Sequence, residues 1–359
     1  MQLDRITDLR SFDAERPVWE ALEQRDPHAT VFTSWRWLRA YLPLARHRWR
    51  ILALRTAGET VAYLPLAFGG SFLDRELYLA GHPVADYTGM IAAPEHSAAA
   101  IAAFGDAILA ERWDGFNVTD IADPRLERLT ERIIERGRLR LESEARTPCR
   151  SVALPADWET YITQTISAKT RVNALRVERR LAEAFPDFTA SEAGDADIDA
   201  AIEAMIAVNH RRWGGNLTNA RKRYGRLFRR AYDAGLARIF VYRDGARPIA
   251  GATAFLDPLR STFGLYMIGF DEDYARFSPG KGIVARTIRA AIESGYKRFD
   301  FLRGDEDFKA RFAPDLHHTQ HYRVARPGLR ADAIAYARPR WFALKQELAT
   351  MVYGEGRTV

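Results

Sequence analysis

The chain has 359 residues, 47% apolar and 28% charged, a globular balance with room for two domains. Its one cysteine, Cys149, excludes an intrachain disulfide and any Cys-based zinc site. The net charge of +6 comes from 53 basic and 47 acidic residues, only six of them Lys, and is spread along the chain; it leaves an anionic partner, a nucleotide phosphate or a tRNA, open. The first ten residues hold two Arg and two Asp and no apolar signal core. The longest apolar stretch, residues 61–73, is interrupted by Pro65 and a Gly pair and is too short to span a bilayer. The expectation is a cytoplasmic, soluble protein.

Residues 17–44 read as helical, with Trp19, Leu22, Phe32, Trp37 and Leu38 in the pattern and Pro43 ending it. Residues 50–55 and 60–68 are short apolar runs across Ala57-Gly58-Glu59, a hairpin signature, with Pro65 suggesting an edge or a bulge. A strand at 76–80, a Gly81-His82-Pro83 turn and an apolar stretch at 87–92 follow. Then come a helix over 97–112, a strand over 116–119 and a helix over 125–136 with Gly137 past its end. Arg146-Thr147-Pro148 reads as a break, so the first domain is assigned to residues 1–148 and the second to 149–359. The second half predicts helices over 157–166, 169–185, 198–212 and 221–234. Three strands at 237–242, 248–255 and 262–270 form a meander, Ser278-Pro279 starts a helix to 294, and strands lie at 297–302 and 318–324. A closing helix is expected over 330–351. The class is α/β, and both halves share an order of elements without a sequence repeat.

The most informative stretch is 262–309. A strand, TFGLYMIGF, runs through an acidic linker into Ser278-Pro279-Gly280-Lys281-Gly282 and a helix. A Gly-rich turn at a helix N-terminus presents unpaired N–H groups and the positive end of the dipole, which suits a pyrophosphate. Ser as N-cap and Pro at N1 explain two of these residues without any ligand. They do not explain two Gly in a first turn, where each costs roughly 0.5–1 kcal/mol against Ala. Neither the P-loop nor the dinucleotide fingerprint is present.

This segment resembles the pyrophosphate turn of GNAT acyltransferases, Gln/Arg-x-x-Gly-x-Gly/Ala. Gly280 and Gly282 match; the Gln/Arg position falls on Phe277, with Arg276 one residue early. The sequence is most similar to the BioF2-like or CelD-like branch, related to FemAB aminoacyltransferases and built from tandem GNAT-like domains. The matching phrases are Ser278-Pro279-Gly280, Phe299-Asp300-Phe301-Leu302-Arg303-Gly304-Asp305-Glu306-Asp307-Phe308-Lys309, Asn209-His210-Arg211-Arg212-Trp213 and Ala85-Asp86-Tyr87, with Phe308 in place of a Tyr.

The resemblance implies two tandem GNAT-like domains with mixed, mostly antiparallel sheets flanked by helices, the first degenerate. It implies transfer of an acyl group, acetyl foremost, from acyl-CoA to a small-molecule amine, an amino sugar of polysaccharide or cell-envelope assembly in this branch. No metal is required. The pantetheine arm would lie in a splay between the strands at 262–270 and 297–302. The backbone of Phe277, Ser278, Gly280, Lys281, Gly282 and Ile283 would hold the pyrophosphate.

Amine acylation needs a base and donors for the oxyanion. Asp305, Glu306 and His210 are the candidates for the base. The two carboxylates are equally suited to pairing with Arg303, Lys309 or Arg311, and His210 to the negative end of its helix. Asp86, Tyr87, Trp213, Tyr266 and Lys309 are candidates for acceptor binding. Arg171, Arg176, Arg179 and Arg180 make a basic helix, suited to solvent, to a 3′-phosphate or to a tRNA acceptor stem. His317, His318 and His321 near Asp315 read as a loop entering a strand. Two rival readings stand beside the first: a FemAB-like aminoacyl-tRNA-dependent transferase, and a binding protein on a decayed GNAT core.

Overall fold

In the computed structural model, residues 1–45, 48–71, 74–214 and 216–328 are described. The helix expected at 330–351 lies outside them. The described residues divide into two units, one formed by those up to Thr147 together with 318–328, the other by those of Pro148–His317. Among the described residues no helix is long and apolar enough to cross a membrane.

The first unit is organised by its hairpin. Ala57 and Gly58 both take positive φ, which turns β2 (Arg48–Thr56) onto β3 (Glu59–Gly70). The remaining elements, in chain order, are β1 (Gln2–Ile6), α1 (Leu9–Ala14), α2 (Arg16–Arg25), α3 (Trp35–Tyr41), β4 (Arg75–Leu79), β5 (Ile91–Ala92), α4 (Ser97–Ala110), β6 (Gly115–Ile121), α5 (Pro124–Gly137) and β7 (Arg140–Ala153). The sheet order is β1-β2-β3-β4-β6, antiparallel except that β4 pairs in parallel with β6. On the far side of β6 lies the returning strand β13 (Asp315–Ala325), paired antiparallel from Gln320 to Ala325. Helices α4 and α5 bury Phe104, Ile108, Leu129 and Ile133 with Leu64, Leu66 and Phe116. Each such side chain contributes about 1.5–3 kcal/mol on leaving water.

Three expectations change here. The helical pattern over 17–44 is broken, because Asp26 ends α2 and turns its carboxylate to Ala92 N–H and Arg125. Pro65 is neither on an edge strand nor at a bulge. It pairs with Ile51, and it falls between the residues of β3 that pair with β5 and those that pair with β4, where a missing N–H costs least. Gly137 is the last helical residue, and Arg138 takes the left-handed conformation past the end of α5. The division of the chain comes at Thr147/Pro148, but no linker marks it, for β7 runs unbroken through Arg146-Thr147-Pro148.

The second unit contains α6 (Trp158–Thr160), α7 (Ala168–Ala184), β8 (Phe188–Glu192), α8 (Ile198–Trp213), α9 (Leu217–Ala220), α10 (Arg226–Asp233), β9 (Ala237–Asp244), β10 (Arg247–Asp257), β11 (Thr262–Phe270), α11 (Pro279–Glu293) and β12 (Arg298–Arg303). Strands β8 to β11 form an antiparallel meander, β11 pairs in parallel with β12, and β12 pairs antiparallel with residues 149–153 of β7. Helices α7 and α11 cover one face through Val177, Leu181, Ile283 and Ile288. Helix α8 meets β10 and β11, with Met205 against Gly251 and the Asn209 backbone against Gly269. The fold is α/β, a mixed and mostly antiparallel sheet flanked by helices.

Candidate active site

The site is built where β11 leaves β12. Their ladder holds Thr262↔Arg298, Phe263↔Phe299 and Gly264↔Asp300, and stops. Two irregularities open it. On β11, Thr253 of β10 faces Met267 while Ala254 faces Leu265, so Tyr266 is the extra residue of a bulge. On β12, Leu302 takes φ +55° and gives its N–H to Asp300 Oδ1 at 2.7 Å. Beyond Gly264 the strand continues through Leu265 to Phe270 without a β12 partner, roughly 20 Å of edge at about 3.4 Å per residue.

At the far end of that edge the chain turns at Asp271. This carboxylate is buried, which by itself would raise its pKa. Ion pairs with Arg247, at 2.6 Å, and with Arg211, together with the Asp273 N–H, outweigh burial and hold the pKa below the usual carboxylate value. It caps a 3-10 turn, Glu272–Phe277, that delivers the chain to Ser278. Tyr274 OH bonds Asp244 at 3.1 Å and Phe277 packs into the core, so the turn is fixed from both sides.

Ser278 opens α11 by its backbone, at φ +59°, and not by a side-chain cap. The Ser278 N–H bonds Ala275 O, and Ser278 O accepts from Lys281 N–H and Gly282 N–H. That leaves the Gly280 N–H without an acceptor among the described residues, and Lys281 without an ion-pair partner there. The two glycines do different things. A Cβ on Gly282 would stand 2.5 Å from Val177 Cγ1, so this glycine lets α7 and α11 close on each other. A Cβ on Gly280 would meet only the Phe270 ring, at 3.0 Å, on the cleft side.

The cleft has a volume of about 310 Å3. One wall is Ile268, Gly269 and Phe270 of β11; Ser278, Gly280 and Lys281 close one end. Arg212 and Trp213 come from the end of α8, and Glu306 and Phe308 from the loop after β12. The Arg212 guanidinium lies over the Trp213 ring at 5.1 Å and over Phe270 at 5.0 Å, and pairs with Glu272.

The structure thus brings together Ser278, Gly280, Lys281, Trp213 and Glu306 from the sequence-predicted set. The others lie elsewhere. Asp305 is held by Arg150, at 2.7 and 3.3 Å, and is not in the cleft wall. Lys309 is 6% exposed; its ammonium donates to Phe301 O, Arg303 O and Gly304 O and pairs with Glu306 at 2.8 Å, so every donor is used by the end of β12 and the loop after it. His210 Nδ1 lies 3.0 Å from Gly214 O, the helix-end arrangement. Ile283 and Phe277 are buried core residues and do not line the cleft. Tyr266 packs on Phe255, Phe228 and Tyr224 at ring distances of 4.6, 5.9 and 6.4 Å. Asp86 and Tyr87 are buried in the first unit, Tyr87 edge-on to Phe32 at 6.1 Å.

Sequence reasoning did not single out Ile268, Phe270 or Arg212 for the site. Apolar residues in mid-strand read as core, and nothing in their spacing marks the strand edge left open beside them.

Residues 168–310 match the family model of the acetyltransferase (GNAT) domain. The structure is similar to the crystal structure of FemX, with a TM-score of 0.60 and 10% identity over 90% of this chain and 97% of that one. It is similar to a tandem GNAT protein from the clavulanic acid biosynthesis pathway, with a TM-score of 0.58 and 10% identity over 91% and 99%. L-PGS from Bacillus licheniformis aligns with a TM-score of 0.54 and 10% identity over 93% and 96%. At such identities the likeness is one of fold. No curated protein matches the sequence significantly.

Proposed function

Proceeding from a GNAT acetyltransferase domain at residues 168–310 in a tandem GNAT-like fold, we propose that the protein is an N-acyltransferase that moves an acyl group from acyl-CoA to an amine. The observation that carries this reading is the single cleft joining an open strand edge to a helix N-terminus with a free amide. The donor set fits a diphosphate: the Gly280 N–H, the dipole of α11 and the unpaired Lys281 ammonium converge at one end. An extended pantetheine arm laid along residues 270–264 would bring its acyl end to the fork at Tyr266. CoA supplies the activated thioester.

The chain's own work is to position the amine, take its proton and hold the developing oxyanion with strand-edge N–H groups. Of the three candidate bases, Glu306 is the one in the cleft wall, and we assign it that role, directly or through a water. Lys309 fixes it from behind as a positioning residue. A second reading, transfer from an aminoacyl-tRNA as in FemAB-like enzymes, is favoured by exposed cations of α7. Lys169 and Arg176 have no ion-pair partner among the described residues.

Calorimetry with acetyl-CoA tests the first reading. Wild type should bind in the micromolar range, and Gly280→Val, with an unchanged circular dichroism spectrum, should bind at least tenfold more weakly. Equal binding by the two proteins, or none by wild type to acetyl-CoA or longer acyl-CoAs, overturns it. In the latter case binding of tRNA with a steep salt dependence would support the second reading.

A further inference from the structure

Helix α8 ends on two arginines with different duties. Arg211 pairs with the buried Asp271 and so ties the helix end to the turn that leads to Ser278. The Gly214 N–H closes the same end on His210 O at 2.7 Å. Arg212 is thereby held at the cleft and lines it. Its guanidinium lies over the rings of Trp213 and Phe270, and only Nη1 is engaged in a hydrogen bond, to Glu272. Nε and Nη2 have no acceptor among the described residues. These two N–H groups form the side of the guanidinium fork that meets two oxygens of one phosphate in parallel, and stacking on rings pre-orders the fork.

Glu272 does not account for this arginine. The pair is open to water on both sides, with side chains 38% and 52% exposed, and such a pair adds little to folding. Phe270 relates Arg212 to the turn. A Cβ on Gly280 would meet the Phe270 ring at 3.0 Å, and Arg212 lies over that ring at 5.0 Å, so Arg212, the Gly280 N–H and Lys281 share one end of the cleft. Arg276, two residues before Ser278, does not join them; its guanidinium lies over Phe277 at 4.8 Å and is not in the cleft wall. A diphosphate diester carries two negative charges, and Lys281 alone answers one. We propose that Arg212 is the second cation of the donor site. Its Nε–Nη2 edge takes one phosphoryl group of the acyl-CoA diphosphate, the Gly280 N–H and Lys281 take the other, and Glu272 holds the arginine in place until the donor arrives. The identity of the diphosphate rests on the acyl-transfer reading.

The test titrates acetyl-CoA and acetyl-dephospho-CoA, which lacks the 3′-phosphate, into the full chain, Arg212→Gln and Glu272→Gln, each with an unchanged circular dichroism spectrum. Arg212→Gln should bind both ligands at least tenfold more weakly than wild type. Glu272→Gln, which removes the competing carboxylate, should bind them at least as tightly as wild type. Equal affinity of Arg212→Gln and wild type for acetyl-CoA overturns the proposal and leaves the acyl-transfer reading standing. Weakening by Glu272→Gln in step with Arg212→Gln does the same, because the pair would then act as a structural tie. A loss in Arg212→Gln that vanishes with acetyl-dephospho-CoA would put the arginine on the 3′-phosphate and overturn the diphosphate assignment. If wild type binds neither ligand, the acyl-transfer reading falls, and inorganic pyrophosphate decides the rest. Pyrophosphate bound by wild type and lost in Arg212→Gln supports the anion site; no pyrophosphate binding by wild type overturns it as well.

Discussion

Each unit contains a short parallel strand pair reached through a helix. In the first, β4 meets β6 through α4; in the second, β11 meets β12 through α11; and both ladders hold three residue pairs before they part. The difference lies in the connection. In the first unit residues 80–96 fold back into the gap: Thr88 bridges Ile121 in parallel, its N–H bonding Asp120 O at 2.8 Å, and Val84, Ala85 and Met90 are buried around it. In the second, residues 271–278 form a connection about half as long, drawn aside by Asp271, and the gap stays open as the cleft. The same strand geometry is a plugged core in one place and an open cleft in the other. The connecting residues, not the topology, decide which.

The comparison can be broken at several points. The largest effect is expected from Lys309→Met, which strands three carbonyls and the Glu306 carboxylate at the open gap's rim. A loss of about 2–3 kcal/mol in urea unfolding is expected, scaled down from a fully buried pair because Glu306 is partly exposed. An unchanged midpoint would show that the rim does not depend on this lysine. Gly282→Leu forces α7 away from α11 and should cost about 2 kcal/mol in the same measurement. If it is tolerated, the second glycine belongs to the ligand after all.

Thr88→Val removes a hydroxyl that donates to Thr119 O and should cost about 1 kcal/mol, with acetyl-CoA affinity unchanged. A drop in affinity there would mean that the plugged gap is not independent of the open one. The smallest effect is a pH dependence. Because the folded-state pKa of Asp271 is depressed, its contribution is complete above the ordinary carboxylate value and is lost as pH falls through the lower, native one. The melting-temperature gap between wild type and Asp271→Asn should be level from neutral pH to about pH 4 and shrink below it. A gap that persists at pH 2 would mean that the aspartate acts by packing alone.

Strands β2 to β4 and β9 to β11, and α11 with its first residues, were legible in the sequence, because hairpin turns and helix starts are local signals; β1 and β8 were not read. Strand β7 was not. RLESEARTPCRSVA has no apolar alternation, since most of its first half is exposed. The site was half legible. Ser278, Gly280 and Lys281 announce a turn with spare donors, but the exclusion of Asp305 depends on Arg150, more than 150 positions away in the chain. Gly282 looks the same as Gly280 in sequence and is separated from it only by Val177 on another helix. Tyr266 reads as mid-strand core, and only the register of β10 against β11 reveals it as the fork.

The first unit is discontinuous, and this has a consequence for synthesis. Strand β13 completes β6 from Gln320 to Ala325 and supplies Arg323, which bonds Glu76 and Glu142. When residues 1–147 leave the ribosome, β6 has a bare edge and Glu76, buried in the finished fold, lacks Arg323. About 170 further residues must be made before β13 reaches them. The second unit, whose strands are continuous in sequence, can fold as it emerges, so the part that begins first finishes last. A nascent chain stalled before His318 would expose an unpaired strand to whatever else in the cell can pair with it.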